Sequence, residues 1–337
     1  MEKSVKKFFI FIILSLFLFA LITAGASYYL LTTPHTMPQN YRLTINQGDN
    51  WQAIAKKLKQ DNLIHNEKAF ILFSRYHGGM LKTGTYPISG NLSTMDMVRY
   101  LSTATPEKTS VRLPEGFTIQ QMRTRIYRSG SLNNNVQNLS DKEILQLLDP
   151  NTEYESLEGL LFPDTYLFNG TPKETDVYRI AYKTMQKHLN NAWQNRNENL
   201  PYKSPYELLI MASIIEKETG HKDDRALVSA VFANRLKHNM RLQTDPTVIY
   251  GMGDKYQGKI HKADLQTDTP YNTYTRAGLP PTPIAAPSLA SLHAAAHPAD
   301  VPYLYFVAKS DGSGESQFSN TLSEHNNAVR EHILKKK

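Results

Sequence analysis

Residues Phe8 to Leu31 form a run of 24 residues without a formal charge. As a helix rising ~1.5 Å per residue it extends ~36 Å, enough to cross a hydrocarbon core of about 30 Å. An apolar helix of this length must sit in lipid or be removed, so it restricts the fold more than any other feature. Lys3, Lys6 and Lys7 precede it. The positive-inside rule then leaves residues 1–7 in the cytoplasm and sends the remaining three hundred or so across the membrane. Tyr28 and Tyr29 stand where an aromatic belt would lie at the far interface. The rival reading is a cleaved signal peptide, because Ala24-Gly25-Ala26 has the small-x-small form of a cleavage site. The apolar stretch continues to Leu31, which favours an uncleaved anchor spanning residues 8–31. Either way the folded part is expected outside the cytoplasm. No second long apolar run follows, which points to a single pass.

Of the 337 residues, 40% are hydrophobic and 20% charged, enough apolar surface for a core and enough length for two compact units. There are no cysteines. That removes disulfide scaffolds, thiolate metal sites, iron–sulfur clusters and cysteine nucleophiles together. The formal charge of +7 suits an anionic partner. However, 38 basic against 31 acidic residues is a mild excess, and Lys335, Lys336 and Lys337 supply three of them. No arginine-rich helix or RNP-like aromatic signature is present, so nucleic-acid binding is not expected. No Gly-rich phosphate loop of the Walker or Rossmann type appears either, which speaks against nucleotide-driven chemistry.

The expected class is α+β. Residues 32–40 (TTPHTMPQN) read as a polar linker. In residues 41–105, Tyr41–Ile45 alternates like a strand, Gly48-Asp49 turns, and Asn50 caps a helix to about Lys59. Trp51, Ile54, Ala55 and Leu58 share its buried face. The segment from Thr44 recurs from Arg112, in residues 106–150. Ile45 matches Leu113, Gly48 matches Gly116, Ile54 matches Met122, Leu58 matches Ile126 and Ile64 matches Leu132. A weaker echo starts at Ser89. This repeated strand–turn–helix unit resembles the LysM class of small modules, which bind N-acetylglucosamine polymers. Residues 106–150 are thus a second LysM-like repeat or a connector, an Asn-rich loop covers residues 133–138, and residues 151–337 form the remaining mixed α/β domain.

The most informative segment is a helix. Ser204-Pro205 is a cap-plus-first-turn pair, Tyr206 to about Thr219 (YELLIMASIIEKET) is largely apolar, and Gly220 supplies a stop. At about 100° per residue, Glu216 and Glu218 point roughly 200° apart, so they cannot form one catalytic pair. Glu218 falls on the bearing of Met211, Ile214 and Ile215, and Glu216 nearer Leu209 and Ala212. A carboxylate among branched apolar side chains at a helix C-terminus is pushed towards its neutral form, which suits a proton donor. Glu218 is the preferred acid and Glu216 the next candidate. The competing reading is a solvated helix end paired through Lys217. Downstream, Arg241–Thr247 gathers hydrogen-bonding groups around an Asp-Pro turn, and Tyr271, Asn272, Thr273 and Tyr274 sit in a Pro-punctuated loop with Arg276. Tyrosines that stack on pyranose rings, amides and an aspartate suit a sugar cleft. Tyr303–Val307 reads as a buried strand, and Glu324, His325 and Asn326 lie on a last helix.

ASIIEKET from Ala212, RLQTDPTVIYGMG from Arg241, TPYNTY from Thr269, GLPPTPIAAPS from Gly278, PYLYFVA from Pro302, FPDTY from Phe162 and Glu324-His325 stand in one order. In these motifs the chain resembles the endolytic murein transglycosylase (YceG-like) family over nearly its whole length. Two places depart from the family pattern: Ser288 stands where a glycine is frequent, and GSGESQFS, with Glu315 and Ser316, replaces a Gly-His segment, so no functional histidine is assigned there.

The resemblance implies a single-pass inner-membrane enzyme with a periplasmic catalytic domain in residues 151–337. It would cut nascent peptidoglycan glycan strands internally to leave 1,6-anhydro-N-acetylmuramoyl ends, close to membrane-bound synthases. It also carries the catalytic glutamate onto Glu218. One glutamate would act as acid and then base, with no cofactor and no metal. Asp245, Tyr271, Asn272 and Tyr274, and less directly Gln243, are the expected sugar-positioning residues. The alternatives are a tethered glycan-binding protein without activity, and a hydrolase using Asp245 as its second carboxylate.

Overall fold

The computed structural model describes residues 2–46, 48–129, 132–133 and 135–334. Gln47, Gly130, Ser131 and Asn134, which fall in the repeat and the Asn-rich loop, and the terminal Lys335–Lys337 lie outside the described residues. Helix α1 (Glu2–Thr32) contains the apolar run. Its stretch Lys7–Thr32 has a mean hydropathy of 2.7 and is unburied throughout. Only its last residues, Leu30 to Thr32, are partly covered, and a helix so apolar is long enough to span a membrane, a property it shares with signal sequences.

The chain divides into two compact units, residues 1–110 with 167–172, and residues 111–166 with 173–337. In the first, β1 (Pro34–Thr36) falls inside the stretch expected to be a linker and pairs antiparallel with residues Asn91–Ser93. Pro34 is tolerated there because it is the first residue of the strand. Met37 beyond it is buried. Strand β2 (Tyr41–Ile45) alternates as the sequence suggests, with Leu43 and Ile45 inward. Asn50 Oδ1 accepts from Ala53 N at 2.9 Å and starts α2 (Trp51–Gln60). Helix α3 (Glu67–His77) is capped by Asn66, and β3 (Gly84–Ile88) returns antiparallel to β2 in the register Tyr41↔Ile88. Strand β4 (Asn91–Ser93) leads into α4 (Thr94–Thr103), closed by a reciprocal Ser93–Asp96 cap. Leu43, Ile45, Ile54, Leu58, Phe70, Tyr86, Ile88 and Met97 form this unit's core.

The order strand–helix–helix–strand occurs again in β5 (Lys108–Arg112), α5 (Ile119–Tyr127), α6 (Asp141–Leu148) and β6 (Thr165–Asn169). Gly48 and Gly116, paired by the sequence repeat, both sit at positive φ, +89° and +70°.

The second unit is mainly helical, with α7 (Glu174–Gln194), α8 (Pro205–Glu218), α9 (Arg225–Lys237), α10 (Asp245–Met252), α11 (Lys262–Gln266), α12 (Leu289–Ala296) and α13 (Leu322–Val329). Strands β7 (Tyr305–Ala308) and β8 (Ser316–Ser319) form an antiparallel hairpin. The expected buried strand at Tyr303–Val307 is thus shifted and only half-buried, because its two-stranded sheet has an open face. Lys309 and Glu315 form an ion pair at the hairpin's end.

Helix α8 is the centre of this unit. Leu208 to Ile215 are buried without interruption. Alanines 294–296 of α12, its main neighbour, let the two helices approach closely. The expected distinction between an apolar bearing and its opposite therefore does not exist on this helix. Leu209 and Ala212 are buried as fully as Met211, Ile214 and Ile215 because helices surround α8. It ends at Glu218, where Thr219 turns to extended backbone, one residue before the expected glycine stop.

A glycine fixes a neighbouring turn. Gly159 has φ +73°, and a Cβ there would stand 2.5 Å from Pro283 Cβ. Gly159→Ala is expected to destabilise the protein by about 2 kcal/mol or more, through strain and overlap together. A Tm within a degree of the unsubstituted protein would contradict this packing.

Candidate functional site

Glu218 and Glu216 meet different fates at the end of α8. The Glu216 carboxylate accepts from Ser288 N at 2.9 Å, Ser288 Oγ at 2.5 Å and Ser291 Oγ at 2.7 Å. Ser288 is the N-cap of α12, so Glu216 ties the start of that helix to the end of α8. All three hydrogen bonds fall on its Oε2, which is thus held by structure. Ser288, through its N and Oγ, and Ser291 make this tie.

The Glu218 carboxylate is half-buried and accepts one hydrogen bond, from Thr244 Oγ1 at 2.5 Å. Burial pushes its pKa up; the Thr244 hydrogen bond pulls it down, and the charge of Asp245 adds to the rise. Thr244 is the N-cap of α10, yet its hydroxyl makes no cap bond to its own helix and is turned to Glu218. The Asp-Pro pair expected to form a turn opens α10 instead, since the fixed φ of Pro246 suits a first helical turn.

Glu218 lines a pocket of about 350 Å³ with Thr244, Asp245, Tyr274, Arg235, Tyr305 and His325. Tyr274 Oη donates to Asp245 Oδ1 at 2.6 Å. Gln243 also lines this pocket, at φ +53°. Arg235 fixes Gln243 and its neighbours: its Nη1 donates to Arg241 O, Leu242 O and Gln243 Oε1, and its Nε to Leu304 O at 2.7 Å. The Tyr305 ring lies against that guanidinium, 5.1 Å from centroid to Cζ, and stacks on His325 at 5.2 Å. The His325 Nδ1 is buried without a hydrogen-bond partner. Burial, and then the charge of Arg235, hold its pKa below the ordinary histidine value, so the ring is neutral near pH 7.

Three of the expected sugar-positioning residues, Gln243, Asp245 and Tyr274, thus surround Glu218. Tyr271 does not: it lines a second, larger cavity of about 920 Å³, where its ring meets Tyr250 edge-on at 4.7 Å. Asn272 reaches neither. It is fully buried, its amide nitrogen donates to Leu265 O and Thr267 O, and its Oδ1 accepts from Tyr274 N at 2.8 Å. A side chain so engaged shapes the loop that presents Tyr274, and has no donor or acceptor left for a ligand.

The sequence reading missed Thr244, Arg235, Tyr305 and Glu158. An arginine on the otherwise apolar helix face of α9 was a readable signal, because a buried guanidinium must find acceptors. Glu158 carried a weaker one, flanked by Leu157, Leu160 and Leu161. It is 1% exposed, accepts from Ile119 N and from Tyr250 Oη at 2.9 Å, and its pKa is raised by burial to about 7.

The profile of the YceG-like family matches residues 43–331. An endolytic murein transglycosylase of Bacillus subtilis is 34% identical over 337 aligned residues, covering 94% of this chain and 92% of the relative. The protein of the same name from Streptococcus pneumoniae strain D39 is 28% identical, with 97% of this chain and 66% of that relative covered. A 2.6 Å crystal structure of a yceG-like protein from Listeria monocytogenes superposes with a TM-score of 0.54 at 31% identity, over 85% of this chain and 98% of that one. A profile match along most of its length, joined to a relative this similar across nearly its whole length, means that the chain belongs to the YceG-like family.

Proposed function

We propose that this protein is a peptidoglycan lytic transglycosylase that cleaves the bond between N-acetylmuramic acid and N-acetylglucosamine within glycan strands. The observation that carries the reading is Glu218: a carboxyl with a raised pKa, at the end of a buried helix, opening into a polar pocket, while Glu216 two residues away is held in structure. The names of the Bacillus and Streptococcus relatives support the same substrate and reaction.

In the proposed mechanism, protonated Glu218 donates to the glycosidic oxygen as the bond to C1 breaks, and the N-acetylglucosamine end leaves as an alcohol. The substrate's own acetamido oxygen meets the positive charge that develops at C1. Glu218, now a carboxylate, takes the proton from the muramoyl 6-hydroxyl, whose oxygen closes on C1. The carboxyl is regenerated, no water is consumed, and the product ends in a 1,6-anhydro ring. The step calls on no metal or cofactor. Asp245 and Tyr274, joined by their hydrogen bond, orient the sugar beside Glu218 in this proposal, and Gln243, held by Arg235, lines the same pocket. Asp245 also supports the second reading, a hydrolase, because its charge acts on Glu218 and it is a carboxylate lining the same pocket.

Helix α1 is proposed as a single-pass anchor with its N-terminus cytoplasmic and both units on the outer face of the membrane, where nascent strands and their synthases work. The strand–helix–helix–strand arrangement of β2, α2, α3 and β3 supports a LysM-like reading of the first unit.

Glu218 must be protonated to begin, so kcat/KM should fall as pH rises through its pKa. Thr244→Val removes the hydrogen bond that lowers that pKa and is expected to move the falling limb to higher pH. Asp245→Asn removes the charge that raises it and is expected to move the limb to lower pH. Limbs that stay fixed in both variants would detach Glu218 from the titration.

A further inference from the structure

The larger cavity of the second unit is built from a cationic helix face and an aromatic wall. Gln121, Thr124, Arg125 and Arg128 recur at the three- and four-residue spacing of one face of α5 and all line it. The opposite face, Met122 and Ile126, is in the core. Across from them stand Tyr250, Tyr256 and Tyr271. The wall is rigid: Tyr271 Oη is bonded to Thr282 Oγ1 at 2.9 Å, and Tyr250 Oη to the buried Glu158.

Two acidic side chains also line the cavity. Glu158 is engaged by Ile119 N and Tyr250, and Asp254 is exposed at the rim. Arg125 and Arg128 are ion-paired to neither, nor to any carboxylate among the described residues. Arg123, two residues before Arg125 and on another face of the helix, pairs with Asp141 at 2.8 Å. Arg125 makes only a long contact, from Nε to Arg112 O at 3.4 Å.

The cavity is connected to Glu218 by two elements. Helix α10 has Asp245 in the Glu218 pocket and Tyr250 in the larger cavity, five residues and ~7.5 Å further along its axis. The loop after α11 has Tyr274 in the first and Tyr271 in the second. The Glu218 pocket and the cavity that holds these two guanidinium groups are thus lined by side chains of the same helix and the same loop. Muramoyl residues of peptidoglycan carry peptide stems with free carboxylates, which match that pair in charge and suit the planar fork of a guanidinium.

We propose that this cavity binds the acidic peptide stem borne by the strand at Glu218, with Arg125 and Arg128 receiving its carboxylates and the tyrosine wall covering its backbone. The proposal rests on the peptidoglycan reading above and adds the part of the substrate recognised beyond the sugar.

The test is binding rather than turnover. The full chain carrying Glu218→Gln is titrated with glycan strands bearing intact stems, and with the same strands stripped of stems by an amidase. Stemmed strands are expected to bind about tenfold more tightly, a preference that falls below about twofold when Arg125→Ala and Arg128→Ala are added. Arg125→Lys with Arg128→Lys, which keeps the charge, should restore part of the preference. Equal affinity for both strands at the start, or a preference that survives the double alanine variant, would overturn the proposal. If the Glu218→Gln chain cut the strands, the catalytic reading would fall while the stem preference could still be measured.

Discussion

Glu218→Gln is expected to lower kcat by about three orders of magnitude on purified glycan strands, the contribution a positioned general acid and base supplies. Glutamine keeps the shape and can still accept from Thr244 Oγ1. It cannot deliver a proton to the glycosidic oxygen or remove one from the 6-hydroxyl, so both halves of the reaction fail together. The melting temperature should stay within a few degrees, because the side chain lies at a helix end with one hydrogen bond. A variant that melts normally and still cuts at a tenth of the native rate or more would reassign the acid.

Glu216→Ala is expected to do the reverse. Three donors, Ser288 N, Ser288 Oγ and Ser291 Oγ, lose a charged acceptor in a partly buried place. Hydrogen bonds to charged groups are worth roughly 1.5–3 kcal/mol, and the three share one oxygen, so a total loss of about 3 kcal/mol is expected. For a unit of this size that corresponds to a fall in Tm of about 10 °C. Below the transition, kcat should remain within about threefold, since Glu216 touches no group of the Glu218 pocket. An unchanged Tm with lost activity would show that Glu216, not Glu218, does the chemistry. The two substitutions separate neighbouring carboxylates that the sequence sets only two residues apart.

Local rules were legible and three-dimensional neighbours were not. Asn50, Ser204 and the alternation of Tyr41–Ile45 follow from capping and pleat geometry, and the structure has them in those roles. The choice between Glu216 and Glu218 rested on a helical bearing that assumed one wet side. Helix α8 has none along residues 208–215, so what distinguishes the two carboxylates is what arrives from elsewhere: Ser288 and Ser291 at one, Thr244 at the other. Both partners come from segments distant in sequence, which periodicity cannot report. Asn272 and Tyr271 were read with Tyr274 as one sugar-facing group because they are adjacent in the chain. A tight loop turns adjacent side chains to different sides, and these three go to the interior, the larger cavity and the Glu218 pocket respectively. Asp245-Pro246 reads equally well as a turn or a helix start, and only the packing of α10 against α8 decides it.

In the proposed reaction one carboxyl, Glu218, closes the sugar on itself without water. Digestion of strands in water enriched in heavy oxygen, followed by mass spectrometry of the new ends, tests it most directly. Muramoyl ends lighter by one water than a hydrolytic product, and free of the heavy isotope, are expected. Reducing ends that carry the isotope at C1 would contradict it and favour a hydrolase with Asp245 as the second carboxylate.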